Sequence, residues 1–192
     1  NNASASAVLA HVVMWTDVSN HVLDFDIYLT GYDVQTINLR DIIVGGLLPV
    51  TADLPNDPTD GISPQGPASD DSSYSPRCDE FLPYGVPALS ADFLEHLQSS
   101  LTGGPSSYFG NKCMGIDHGD RIARGYVTVD TVADCSVAFP GDDSYLQAAD
   151  AGIVTFENVL WGDYFYVNPS ENFAQGETLV HIEADTAALA PN

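Results

Sequence analysis

Asp117-His118-Gly119-Asp120 is the grouping with the most direct chemical use. Two carboxylates flanking a glycine turn present hard oxygens, and loop carbonyls can complete the roughly six-to-eight oxygen shell of Ca²⁺. Asp142-Asp143 after Pro140-Gly141, and Asn56-Asp57 with Asp60-Gly61, offer similar oxygens. None follows the alternating spacing of an EF-hand loop, so the competing assignment for each is a turn held by its own side-chain hydrogen bonds. Ca²⁺ is therefore the expected cofactor if there is one, with Asp117, Asp120, Asp142 and Asp143 as its candidate ligands.

The motifs of nucleophilic and metal catalysis are missing. The chain has no G-x-S-x-G elbow and no H-E-x-x-H, and its one lysine, Lys112, precedes Cys113 instead of closing a phosphate loop. His11 and His181 fall in predicted strands and read as core or surface residues, while His96 lies on the flank of a predicted helix. No catalytic residue is expected. A secreted hydrolase working through carboxylates of the Pro-rich stretch ranks behind the non-enzymatic readings.

Cys78, Cys113 and Cys135 allow three single pairings. Cys78 with Cys113 is the favoured one, because it closes the Pro-rich stretch and the helix after it onto the body. Restricting about 34 intervening residues stabilises on the order of 3 to 4 kcal/mol through the unfolded chain. Cys113 with Cys135 is the rival. Cys135 is then the odd thiol, either a small buried apolar residue or a bridge to another molecule.

Charge narrows the partners. Of 192 residues, 27 are Asp or Glu and 5 are Lys or Arg, for a net charge of −22. Such a surface repels phosphate polyanions and anionic lipid, and no basic stripe offsets this, so a nucleic-acid partner is excluded. The acids divide into 21 Asp and 6 Glu, a bias toward turns and oxygen ligands over helix. Three cysteines and Pro-rich loops predict an oxidising, extracytoplasmic location. No apolar run is long enough to span a membrane. Asn2-Ala3-Ser4 has the form of a glycosylation sequon.

The elements that would position these residues are mainly strands. Val8, Ala10, Val12 and Met14 alternate with Leu9, His11, Val13 and Trp15, which suits a strand covered on both faces. Leu23, Phe25, Ile27 and Leu29 alternate with Asp24, Asp26, Tyr28 and Thr30, the pattern of a half-exposed antiparallel strand, with Thr16 to His21 as the hairpin turn. A third strand is predicted from Val34 to Val44, ending at Gly45-Gly46. Thr51 to Pro87 is a Pro-, Asp- and Ser-rich excursion. Ser90 then caps a helix bearing Phe93, Leu94, Leu97 and Leu101 and stopping at Gly103-Gly104. Further strands are predicted over Ile122–Val132, Cys135–Phe139, Gly152–Glu157, Val159–Val167 and Glu177–Ala184, with aromatic Tyr164, Phe165 and Tyr166 covered on both faces of theirs.

The fold class expected from about eight strands is a single antiparallel β-sandwich, immunoglobulin-like or jelly-roll. Residues 51–104 form a loop-plus-helix insertion, and residues 1–15 a strand suited to exchange between molecules. Function is then expected to be structural: an extracellular subunit that self-assembles with like subunits into a filament, tube or surface layer. The assembly strand would be Val8, Ala10, Val12 and Met14 pairing with a neighbour. The alternative is a secreted Ca²⁺-dependent module binding carbohydrate or mediating adhesion.

Overall fold

A computed structural model describes residues 1–51, 78, 81–84, 88–146 and 152–183. Most of the Pro-rich excursion, including Asn56, Asp57, Asp60 and Gly61, and the end of the last predicted strand lie outside the described residues. Within them the chain is mostly strand, arranged in antiparallel sheets that do not close, with two short helices.

The centre is a three-stranded sheet of order β2-β1-β5, formed by β1 (Val8–Thr16), β2 (His21–Leu29) and β5 (Gly125–Val132). β1 lies in the middle and all nine of its residues are buried. Its alternation sorts the sheet into two faces. Ala10, Val12 and Met14 stand in register with Ile27, Phe25 and Leu23 on β2, and Val12 and Met14 with Val129 and Val127 on β5. Helices cover this face: α1 (Leu39–Gly45) contributes Ile42, and α2 (Ala91–Thr102) contributes Leu97 and Leu101. The other face carries Leu9, Tyr28 and Val132, covered by Cys78, Cys135, Tyr145 and Val154.

Both helices begin and end where their caps dictate. Ser90 Oγ accepts from the Phe93 N–H at 3.2 Å, and Gly103 takes the left-handed conformation at φ 79° after Thr102. Asn38 caps α1 and Gly46, at φ 67°, ends it. The segment predicted as a third strand is thus an extended run followed by this helix. Its isoleucines do not alternate between faces; only Ile42 is fully buried. Cys135–Phe139 forms no strand, and Gly152–Glu157 contributes one isolated bridge, Val154 to Val132.

Two smaller pairs complete the elements. β3 (Pro105–Ser106) pairs with β4 (Lys112–Cys113), and β6 (Asp163–Asn168) with β7 (Phe173–Thr178) across a one-turn 3-10 helix at Pro169–Glu171. The last pair stands apart as an arm. Its base is held to the chain start, where Ala3 N–H donates to Val159 O at 2.8 Å and Asn2 bridges Leu160.

The disulfide is Cys78–Cys135, with Cα atoms 5.0 Å apart, and Cys113 is free and exposed. This corrects the expected Cys78–Cys113 pairing and reverses the roles of Cys113 and Cys135. Loop closure favours any long-range pair about equally, because its cost changes only logarithmically with length. The choice is made instead by the second sheet face, which Cys78 and Cys135 cover together while Cys113 sits on the exposed β4.

Candidate functional site

Among the described residues, chemistry-bearing side chains collect on the covered polar face of the sheet, in an aromatic cleft beside α2 and on the exposed arm. The first begins with a register. β1 sets His11 opposite Asp26 on β2 and opposite Asp130 on β5, so the imidazole stands between two carboxylate strands on one face. His11 Nδ1 lies 2.7 Å from Asp26 Oδ1, and both residues are fully buried. The Tyr145 hydroxyl donates to Asp130 Oδ2 at 2.9 Å, with its ring 5.9 Å from that of His11. Asp26 and Tyr28 thus belong to the interior, not to the solvated side of a half-exposed strand. The layer tied by the Cys78–Cys135 disulfide covers them.

Removal from water works against a charged His11. The Asp26 hydrogen bond and the carboxylates of Asp26, Asp24 and Asp130 outweigh it and hold the imidazole above the ordinary histidine value. Burial pushes the Asp26 carboxyl up as well, against the opposing pull of His11. The pair therefore holds its shared proton more tightly than the separate groups would in water. Burial and the adjoining Asp130 carboxylate also raise the Tyr145 hydroxyl, which stays protonated and donates.

The cleft has a volume of about 260 Å³ and is lined by His21, Asp24, Phe93, His96, Tyr108 and Phe109, among others. His21 stacks on Phe139 with centroids 4.5 Å apart, and its Nε2 is 2.8 Å from Asp24 Oδ2. His96 Nδ1 lies 2.7 Å from Ser106 Oγ and 3.2 Å from Ser100 Oγ. All three of these residues are buried, so the Ser106–His96 contact is a packed hydrogen bond and presents no nucleophile to a substrate. Burial, then the nearby His21, lowers the His96 value and favours the neutral ring.

The expected Ca²⁺ ligands are occupied in turns and pairs. Asp117 Oδ1 accepts from Gly119 N–H at 2.8 Å. Asp120 is bound by the Arg124 guanidinium at 2.6 and 2.8 Å and accepts from Ile122 N–H, which holds its carboxyl well below the usual range. Asp142 Oδ2 caps Phe139 N–H at 3.1 Å, and Asp143 follows it on the surface of the same turn. Among the described residues no group of three or more His, Cys, Asp or Glu is placed to hold a metal ion. Asn2 of the sequon is buried, with Nδ2 donating to Ser6 O at 2.7 Å and Thr30 O at 3.1 Å, so its amide is not open to modification.

Val8, Ala10, Val12 and Met14 are placed in the middle strand, whose two edges are taken by β2 and β5 of the same chain. An open edge for a neighbour must be sought elsewhere. The β6–β7 arm lies in solvent: all twelve strand residues are exposed. Phe165 and Val167 share one arm face with Ala174 and Gly176, and Tyr164 and Tyr166 share the other with Gln175 and Glu177. Phe165 is 76% exposed, and the segment after the arm leaves Val180 at 90% and Ile182 at 89%. The aromatics expected to be covered on both faces are open on both. The strand expected over Val159–Val167 overlaps β6, which begins only at Asp163 and runs to Asn168.

No protein-family model matches this chain, and comparison with characterised proteins and with solved structures gives no match. Among the described residues no helix is long and apolar enough to cross a membrane.

Proposed function

We propose that the chain is an extracellular structural subunit that self-assembles with like subunits into a filament, tube or surface layer, joined through the β6–β7 arm. The observation that carries this reading is the arm itself. A lone two-stranded hairpin is at best marginally stable in water, and this one keeps its aromatic and branched residues in solvent on both faces. Its outer strand edges and apolar face match what strand addition requires. Packed against a neighbour, the arm would supply a second β layer, and the β-sandwich expected from the sequence would be completed between molecules. The location outside the cell is supported by the Cys78–Cys135 disulfide.

Assembly between chains of charge −22 needs screening. The arm carries Asp163, Glu171, Glu177 and no Lys or Arg, so dissolved cations are the natural companions of the interface. Carbohydrate binding is the second reading, and the aromatic cleft with Asp24 on its wall is what favours it.

Size-exclusion chromatography with light scattering, backed by negative-stain microscopy, tests the first reading across salt concentration. Wild-type protein should form large species that grow as salt is raised from a few millimolar, and Phe165→Ser with Tyr166→Ser should remain small. A wild-type monomer at high protein concentration, in low and high salt alike, would sink it.

A further inference from the structure

In a chain with five Lys and Arg, the bases that meet buried carboxylates must come from elsewhere. Three of the five histidines lie within 3.2 Å of an aspartate: His11 on Asp26, His21 on Asp24 and His118 on Asp17. His11 is the one at the centre of the fold. The groups that face it are Asp26 and Asp24 on β2, Asp130 on β5, and the Tyr145 hydroxyl, with Tyr28 and Tyr84 on the same covered side. Among the described residues no Lys or Arg joins them.

We propose that His11 is a proton latch: it stays protonated on Asp26 in the folded chain through neutral pH, and loosens the disulfide-tied layer packed over it when it loses its proton. The geometry requires this assignment. One 2.7 Å contact fixes the imidazole on Asp26, and Tyr145 of the covering layer lies with its ring 5.9 Å from the imidazole and its hydroxyl on Asp130, the register neighbour of His11 on β5. A neutral ring there would leave the fully buried Asp26 carboxylate without the charge it is bonded to, which is unfavourable.

The sign of the pH dependence follows. The His11 value is raised, so its contribution is fully present below the unfolded histidine value of 6.5 and is lost as pH rises through the folded one. Asp26, also raised, acts in the same direction: its contribution is present below 3.8 and fades as pH rises through its folded value. The sheet is therefore an acid-favoured unit whose cover loosens on the alkaline side. This proposal does not rest on self-assembly.

Nuclear magnetic resonance of the wild-type imidazoles tests it without a variant. His11 should titrate above the histidines of the same protein unfolded in urea, and its ring should carry two protons at pH 7. Amide exchange of β5 and of Tyr145 should speed up as pH passes through that midpoint, beyond the intrinsic base-catalysed rise. In His11→Gln the mid-range pH dependence of the melting temperature should be clearly reduced. A neutral His11 at pH 7, or a His11→Gln protein with the wild-type pH profile, would overturn the proposal.

Discussion

Single residues fix more of this molecule than its composition suggests. The Cys78–Cys135 bond, closing a sequence separation of 57, ties the second layer to the sheet. Replacing both cysteines by serine should cost about 4 kcal/mol, read as a lower denaturant midpoint, whereas Cys113→Ser should leave that midpoint unchanged. A maleimide should label native Cys113 alone. At Gly125 a Cβ would run into the carbonyl of Trp15 on β1. Gly125→Ala should therefore destabilise by about 1 to 3 kcal/mol in urea unfolding, the range for overpacking a close contact. A neutral result would mean that β1 and β5 lie further apart.

Elements differed in how much of them the sequence disclosed, and the differences have physical causes. α2 was legible because its cap, its stripe and its glycine stop all lie within the segment. Ser90→Ala should cost about 1 kcal/mol, and Leu97→Ala, buried against the sheet, about 2 to 5 kcal/mol, both measurable by chemical denaturation. β1 and β2 were legible from alternation alone. α1 was misread because its branched residues mimic a strand, although Asn38 before Asp41 and Gly46 after Gly45 carry the cap signals of a helix. The covered side of β2 was hidden for another reason: what covers Asp26 and Tyr28 arrives from Cys78, Cys135 and Tyr145, far along the chain. The polar site was accordingly only half visible. His11 could be placed on a strand, but its partners Asp26 and Asp130 depend on a register that no local pattern encodes.

At the scale of the whole molecule, the shortage of Lys and Arg has two consequences. Inside, histidine takes the place of the missing base against Asp26. Outside, the acidic arm leaves Phe165, Tyr166, Val180 and Ile182 in solvent, and under the proposed assembly a neighbour would cover them with cations screening its approach. The central claim is that this cover is a second copy of the chain. It is tested most directly by the mass of the purified protein in solution, measured by light scattering at moderate salt with Phe165→Ser/Tyr166→Ser alongside. The account predicts polymers for the wild type and a folded monomer of 20.5 kDa for the variant. A wild type that stays at the monomer mass, or a folded variant that polymerises as the wild type does, would contradict it.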